Sequence, residues 1–403
     1  MVSDMKKNKC TGCGVCKAVC PADCISMQKD KEGFLYPLID EAKCINCGKC
    51  DRLCHAQHIL SSESEDPKVY IGYNKNEKER LLSSSGGAFI EFARHVTDSG
   101  GTVYGAAVDD SIQIRHMRAD SADMLQRFQG SKYVQSVINT DIYTSVKNDL
   151  DSGRNVLYSG TPCQIGALNR FLGKTYPNLT TLSFICHGVP SPYVWQKYAA
   201  WQETKNNSKI KTASFRSKDK GWVNFSMKLE FENGNTYSKI NSDDPFLQVF
   251  LKNACLRPSC HACQYKGKAV LSNIDILLAD KWGSVSGSLP NMTDDKGISM
   301  IFVQTKKGKK LFDKASSGMH LAQTDYSEAI NSNPAYSHCA AASKNRTRFF
   351  EEIDSKPFDV LYKKYAKTPF VRKMKSKAFN VSYRIAKKLG AVKLIKQILK
   401  RNA

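Results

Sequence analysis

Two cysteine boxes near the start of the chain constrain its fold more than any other feature. CTGCGVCKAVCP at positions 10–21 and CINCGKCDRLCH at positions 44–55 share the spacing CxxCxxCxxxC. This spacing is typical of a pair of [4Fe-4S] cubanes, in which three close thiolates bind one cluster and the fourth cysteine crosses to the other. The predicted ligands are Cys10, Cys13, Cys16 and Cys54 for cluster one, and Cys44, Cys47, Cys50 and Cys20 for cluster two.

Zinc is the alternative metal for paired CxxC motifs. Each box, however, has a third cysteine at a spacing that zinc sites do not require, so we favour the clusters. Cys24 is surplus to both sets, and we interpret it as a small buried thiol. The polar stretch SSESEDPK indicates a linker. We therefore predict a ferredoxin-like domain over residues 1–66.

The chain of 403 residues is too long for one typical domain, so a larger body is expected after the linker. The segments GGTVYGAAV, NVLYSG and TTLSFICHG read as buried strands, and helical patterns lie between them. This alternation predicts a mixed α/β (α+β) fold with functional loops at the strand ends. We assign the body to residues 67–343.

Several cysteines of the body are candidates for a third cubane. Cys163 and Cys186 each follow a predicted strand, and CLRPSCHACQYKG contributes Cys255, Cys260 and Cys263. A CxxC pair such as Cys260 and Cys263 is poorly explained by unrelated buried thiols. Cys339 fits that simpler explanation well.

The net charge of +22 is concentrated in a basic tail, which we assign to residues 344–403. That segment has 18 Lys and Arg against 4 Asp and Glu. Its apolar residues follow one face of a predicted helix, with lysines between them: Ile385, Leu389, Val392, Ile395 and Leu399. Such a helix could bind an anionic membrane surface or an acidic protein partner, or pack on the chain's own body. No nucleic-acid-binding signature accompanies it.

The sequence opens without an apolar leader and has no long apolar run, so we expect a cytoplasmic protein. Fifteen cysteines are then cluster ligands and free thiols in a reducing compartment, rather than disulfides. The basic tail adds a second expectation, which is peripheral binding at the inner face of the membrane.

A series of motifs resembles the coenzyme F420 hydrogenase/dehydrogenase beta-subunit family, in the bacterial form with a fused two-cluster ferredoxin domain. They occur in the family's order: SSSGGAF, GGTVYGAA, QGSKYVQS, LYSGTPCQIGAL, ICHGVPSP, LRPSCHACQYKG, DILLADKWG and DDKGISMIF. The resemblance implies that the body binds FAD and a [4Fe-4S] cluster. It assigns the third cluster to Cys163, Cys186, Cys260 and Cys263, with Cys255 as a reserve ligand.

The same resemblance implies flavin contacts in three places: Ser85, Gly86 and Gly87; Gly130, Ser131, Lys132 and Tyr133; and Gly160 and Thr161. A helix start with free amides, as after Ser83, can hold a phosphate, although a simple capped helix start is the more frequent explanation of Ser and Gly there. Lys132 could stabilise negative charge on a flavin. His187 could donate a proton there, although a structural role suits it better.

The first functional hypothesis is an oxidoreductase that takes electrons from reduced ferredoxin. They would pass through the clusters to FAD and on to an organic two-electron acceptor, which is coenzyme F420-like or a substrate of a glycan or polysaccharide pathway. The alternative is a non-catalytic electron-transfer subunit that docks on a partner redox enzyme. The sequence does not fix the direction of electron flow.

Overall fold

The computed structural model of the chain describes residues 2–61, 64–283 and 285–368. It has a mixed α/β architecture, which confirms the predicted fold class. In the N-terminal unit, the strands β1 (Ile25–Lys29) and β2 (Leu35–Ile39) form an antiparallel hairpin between two one-turn helices, α1 (Val15–Ala18) and α2 (Lys49–Arg52). Each of these helices carries the third cysteine of its box.

The body is built on strands, the first of which begins at Lys68, two residues after the predicted domain boundary at residue 66. Their bounds are β3 (Lys68–Asn74), β4 (Thr102–Val108), β5 (Ile114–Ala119), β6 (Val156–Ser159), β7 (Leu179–Phe184), β8 (Ile210–Ser217), β9 (Ser226–Phe231), β10 (Thr236–Ile240), β11 (Ile276–Asp280), β12 (Ser299–Val303) and β13 (Met319–Thr324). In the described residues they form an eight-stranded sheet, in the order β13-β3-β12-β11-β7-β6-β4-β5, and a three-stranded antiparallel sheet, β10-β9-β8.

The centre of the large sheet is parallel, because β4, β6, β7 and β11 run in the same direction. β12 is antiparallel to both β11 and β3, so β3 also ends at the same edge as the central strands. Loops that follow parallel strands are the usual ligand-binding positions of α/β sheets. This carboxyl edge therefore gathers the loops after β3, β6, β7 and β11.

The helices of the body lie on both sides of this sheet and around the smaller one. Their bounds are α3 (Glu77–Leu82), α4 (Ala88–Asp98), α5 (Thr140–Asp151), α6 (Pro162–Leu172), α7 (Pro192–Asn206), α8 (Pro245–Leu251), α9 (Lys268–Leu271), α10 (Lys306–Ala315), α11 (Tyr326–Asn331), α12 (Arg346–Glu351) and α13 (Phe358–Tyr365). Short 3₁₀ turns occupy Val2–Asp4, Ala122–Phe128, Pro258–Cys260, Ser316–Gly318 and Pro334–Tyr336.

Three of the helices begin with the same local signal. Thr161, Ser191 and Asp244 are the N-caps of α6, α7 and α8, and proline follows each of them. A capping oxygen satisfies a free backbone N–H of the first turn, and proline at the first helical position needs no donor there. These helix starts are therefore specified locally by the sequence.

Two hydrophobic cores join the N-terminal unit to the body. Val15 and Val19 of the first unit belong to the core under the large sheet. Phe34, at the end of the β1–β2 turn, belongs to a second, aromatic core with Trp195 and Phe246. The two predicted units therefore share buried apolar surface, which favours one fixed arrangement.

The first part of the predicted tail also packs in the aromatic core. Phe349 and Phe350 of α12, and Phe358 and Leu361 of α13, are buried there. The predicted amphipathic face from Ile385 to Leu399 lies outside the described residues. Within the described ranges, no helix is both long enough and apolar enough to cross a bilayer.

Candidate redox site

The cysteines predicted for cluster one line a single cavity of about 360 Å³. They come from both boxes: Cys10, Cys13, Cys16 and Cys54. Gly12 donates its N–H to the Cys10 sulfur at 3.4 Å, a contact typical of cluster-binding loops. Burial raises the pKa of the Cys16 thiol to about 12. In the metal-free chain this thiol is protonated, so binding of iron must displace the proton.

The second set is nearer to solvent. Cys20, Cys44 and Cys50 contact a small apolar cluster around Ile25, and Cys47 is exposed. Cys24 is buried beside them, as expected, with its sulfur 3.4 Å from that of Cys20.

A third group of thiols surrounds an open cavity of about 800 Å³ at the carboxyl edge of the sheet. The structure brings together the four cysteines that the resemblance assigned to the third cluster: Cys163, Cys186, Cys260 and Cys263. Cys163 lies in the first turn of α6, directly after β6, and Cys186 lies on the loop after β7. Cys260 and Cys263 lie on the segment that precedes α9. Burial raises the pKa of the Cys163 thiol to about 12 and that of Cys260 to about 11.

The cavity shapes bear on the choice of metal. Within the described residues, no three His, Cys, Asp or Glu side chains converge closely enough to hold a single metal ion. The thiols instead stand around the walls of cavities. In a cubane, each of the four ligands binds a separate iron.

Two further cysteines differ in their relation to this cavity. Cys255, the reserve ligand, is buried in the aromatic core and does not line the cavity. Cys339 was expected to be an unrelated buried thiol, but it is exposed and donates to the Cys263 carbonyl at 3.3 Å. The sequence gives no spacing signal for this contact, because 76 residues separate the two cysteines.

Arg257 fills the junction between the first and third sets of cysteines, and only 1% of its surface is exposed. Its Nε donates to the Cys10 carbonyl at 2.9 Å, its Nη2 to the Leu35 carbonyl at 2.9 Å, and its Nη1 to Gln135 Oε1 at 3.0 Å. Gly12 leaves room for it, since a Cβ there would lie 2.8 Å from Arg257 Nη1. No carboxylate of the described residues lies within ion-pair distance of this guanidinium.

A second contact crosses the same junction. His55 is buried, and its Nδ1 lies 2.6 Å from the Tyr265 hydroxyl. Its Nε2 lies 2.8 Å from Thr11 Oγ1. Burial lowers the pKa of His55 to about 4, so the imidazole is neutral. His55, Thr11 and Tyr265 are close in sequence to Cys54, Cys10 and Cys263. This chain of hydrogen bonds therefore joins the surroundings of the two thiol sets.

The first group of predicted flavin contacts lies further along the carboxyl edge. Gly86 is packed against the sheet: a Cβ would come within 2.3 Å of the Gly72 carbonyl, and its N–H already donates to Ser299 Oγ at 3.0 Å. Ser85 Oγ donates to the Ile298 carbonyl at 2.8 Å. Gly87 is the N-cap of α4. Close packing against the sheet thus explains why residue 86 is a glycine. A ligand would contact the turn only from Gly87 onward.

The second group is joined to the first by hydrogen bonds. Ser131 donates from its hydroxyl to Ser84 Oγ at 2.8 Å, next to the turn at Gly130. Lys132 donates to the Arg127 and Gln129 carbonyls, both at 2.8 Å. Desolvation lowers the pKa of Lys132 to about 7.

Sequence reasoning missed Arg216, which contacts this second group. It is buried, donates to Asp280 Oδ2 at 2.6 Å and lies 3.4 Å from the Tyr133 hydroxyl. Its Nε and Nη2 have no hydrogen-bond partner among the described residues. Tyr133 itself stacks on Phe250, with ring centroids 4.7 Å apart.

The remaining candidates are at the cysteine cavity. Thr161 lines it, and the Thr161 hydroxyl lies 3.1 Å from the Cys163 sulfur. Gly160 precedes it at the end of β6. His187 is exposed at the cavity rim, where Nε2 contacts Asn253 Oδ1 at 2.6 Å. The structure therefore divides the predicted flavin residues between two positions on the same sheet edge.

Comparison with known proteins finds separate matches for the N-terminal unit and for the body. Residues 153–329 match the family model for the C terminus of the coenzyme F420 hydrogenase/dehydrogenase beta subunit, and residues 9–58 match the "4Fe-4S dicluster domain". None of the curated proteins matches the chain. A chain from a solved structure, "Xenon derivatization of the F420-reducing [NiFe] hydrogenase complex from Methanosarcina barkeri", aligns over 73% of this chain and 94% of its own length. The identity is 19% and the TM-score is 0.45.

The two family matches cover both cysteine boxes and the segment that holds all four cysteines of the third set. They confirm the resemblance read from the sequence motifs. The chain therefore resembles a 4Fe-4S dicluster domain over residues 9–58 and the C terminus of the coenzyme F420 hydrogenase/dehydrogenase beta subunit over residues 153–329.

Proposed function

We propose that the chain is an iron-sulfur flavoprotein oxidoreductase with three [4Fe-4S] clusters and FAD. Electrons from reduced ferredoxin would pass through the clusters to the flavin and on to an organic two-electron acceptor. The observation that carries this proposal is the third cavity, where four cysteines from three separate segments meet beside the cluster-one cavity.

The surroundings of the third cavity fit an anionic cluster. Arg257 is a buried cation, and a buried charge without an opposite charge is strongly destabilising. Cluster-bound thiolates would supply that negative charge, because Arg257 lies near Cys10 on one side and lines the third cavity on the other. Val189 also donates its N–H to the Cys260 sulfur at 3.4 Å.

The geometry supports an order for the clusters. Cys13 lines both the cluster-one cavity and the third cavity, whereas the exposed Cys47 belongs to the second set. Cluster two would therefore receive electrons at the surface, and cluster one would pass them to the body. Two ferredoxin-type clusters in series suit the transfer of single low-potential electrons.

The flavin proposal rests on the Gly87 turn and the Gly130–Tyr133 segment. Lys132 and Arg216 are the basic side chains there. Arg216 pairs with Asp280, and its Nε and Nη2 are buried donors without a partner among the described residues. Bound FAD would collect single electrons and release them as a pair. Lys132 would stand beside the ligand either as the charged ammonium or as the neutral amine, because its pKa of about 7 allows both forms near neutral pH. His187 is a second candidate donor at the cavity rim.

We propose a polar organic molecule as the acceptor, either F420-like or a glycan-pathway substrate. Identification of this substrate needs an assay with candidates of both classes and the reduced protein.

The test is anaerobic purification of the full chain followed by metal, flavin and redox analysis. We expect about twelve irons from three cubanes of four irons each, together with bound FAD. The protein reduced with dithionite should be reoxidised by a small two-electron acceptor. Eight irons would remove the third cluster, and near-stoichiometric zinc would overturn the proposal for the boxes. Absence of flavin would favour the alternative, an electron-transfer subunit that docks on a partner enzyme.

A separate proposal concerns the basic end of the chain. Residues 369–403 contain 11 Lys and Arg and no Asp or Glu. We propose that they bind anionic membrane at its inner face, with each cation near the surface contributing roughly 1 kcal/mol. Removal of residues 369–403 should abolish sedimentation with anionic vesicles at low salt while clusters and flavin stay bound. If the full chain does not sediment with these vesicles at low salt, an acidic protein partner or packing on the body is the better assignment.

A further inference from the structure

The Thr161 hydroxyl is placed to donate a hydrogen bond to a sulfur of the third cavity. Its oxygen lies 3.1 Å from Cys163 Sγ, and Thr161 is buried at the start of α6. A thiolate bound to iron has no proton to give. In the loaded site the hydroxyl must therefore be the donor and the sulfur the acceptor.

Gln164 fixes the position of Thr161. The two residues form a capping box, in which the Thr161 N–H donates to Gln164 Oε1 at 2.9 Å. Because a backbone N–H can only donate, this contact settles which end of the Gln164 amide is the oxygen. The other end, Nε2, then donates to Ser136 Oγ at 2.9 Å.

His116 completes the network on the far side of Ser136. Its Nε2 lies 3.1 Å from the Ser159 carbonyl and its Nδ1 lies 3.1 Å from Ser136 Oγ. A carbonyl can only accept, so Nε2 carries the hydrogen. Burial lowers the pKa of His116 to about 4, which leaves the ring neutral and Nδ1 free to accept from Ser136. The donors along this network are therefore fixed: Gln164 donates to Ser136, and Ser136 donates to His116.

We infer that Thr161 raises the reduction potential of the third cluster by donating to the Cys163 sulfur, and that the His116–Ser136–Gln164 network holds it in that position. A hydrogen bond to a cluster sulfur stabilises the added negative charge of the reduced form. The inference rests on the proposed third cluster. It gives Thr161 a role in tuning the cluster, whereas the sequence resemblance assigned it to the flavin.

The test compares Thr161→Val with Thr161→Ser in the full chain, reconstituted anaerobically with iron and sulfide. Valine has the same shape without the hydroxyl, and serine keeps the hydroxyl. We expect the equilibrium constant for reducing one of the three clusters to fall roughly tenfold in Thr161→Val, a shift of about 59 mV for a one-electron couple. The other two clusters should be unchanged, and Thr161→Ser should titrate like the parent. Redox titration followed by electron paramagnetic resonance gives these values without any activity assay.

A second variant covers the case in which loss of the helix cap prevents folding of Thr161→Val. Ser136→Ala removes the acceptor of Gln164 and should shift the same cluster in the same direction by a smaller amount. The iron count of the parent reports on the third cluster itself, so a count near eight would refute the proposed function and the inference together. A count near twelve with unchanged potentials in the folded variants would overturn the inference alone.

Discussion

The N-terminal unit and the body build similar cysteine-lined cavities from very different stretches of chain. The cluster-one cavity takes all its cysteines from two boxes of 12 residues. In the third cavity, the cysteines follow β6, follow β7 and precede α9, so segments that are far apart in sequence must come together before they meet. The first site depends mainly on local spacing, while the second depends on long-range strand pairing. Loss of a ligand should therefore have different consequences in the two places.

The largest expected effect comes from removal of one ligand in each region. Cys260→Ser should lose the third cluster, about four of twelve irons, and with it the arrangement of the loops at the sheet edge and the bound flavin. Cys47→Ser should lose cluster two and accept electrons poorly from ferredoxin, but keep the flavin. Iron and flavin analysis of both purified variants checks this.

Cys255→Ser is the matched control, since Cys255 is buried in the same segment but lies outside the cavity. It should keep all irons and the flavin. Equal loss of flavin and fold in Cys47→Ser and Cys260→Ser would contradict the difference between the two regions.

A smaller effect is expected at the junction that couples the regions. Arg257→Met would leave the Cys10 and Leu35 carbonyls and Gln135 without a donor, and each unsatisfied buried group costs about 1–3 kcal/mol. We expect the free energy of unfolding to fall by several kcal/mol, and proteolysis to release the N-terminal unit. Denaturant unfolding and limited proteolysis measure these changes.

Arg80→Met is the control for Arg257→Met. Arg80 is also buried, but it pairs with Asp294 in the body, far from the boxes. This variant should be destabilised without release of the N-terminal unit. If both arginine variants release that unit equally, Arg257 has no special role at the junction.

The smallest effect is expected for Tyr265→Phe, which removes only the hydrogen bond to His55. The unfolding free energy should fall by about 1 kcal/mol. Electron transfer from cluster one to the body should slow modestly, while iron content stays the same. Stopped-flow reduction of the flavin by reduced ferredoxin tests the rate. A rate equal to that of the parent would show that this contact only joins the two parts mechanically.

The contrast between local spacing and long-range strand pairing also explains which features could be predicted from the sequence. The box spacing predicts ligand sets directly, because three close cysteines of each box suit one cluster and the fourth crosses to the other. Helix starts such as Thr161-Pro162 were equally accessible, because capping is local. Arg216 and the Cys339 contact could not be predicted, since strand order and loop packing alone bring them to the site.

The tail illustrates a misleading composition signal. Its charge suggested a separate unit from residue 344, yet α12 and α13 carry aromatic residues that complete a core of the body. A charge count over residues 344–403 does not reveal the few buried apolar residues of these two helices. The stretch without acidic residues starts only after Asp359, inside α13.

The C-terminal helices also bear on the order in which the protein can mature. Arg346 of α12 forms a bidentate ion pair with Glu32, beside the β1–β2 turn, and Phe350 packs near Phe34 of that turn. During synthesis the two members of this ion pair leave the ribosome 314 residues apart. The β1–β2 turn, which follows the first box, is therefore made early but reaches its final packing late.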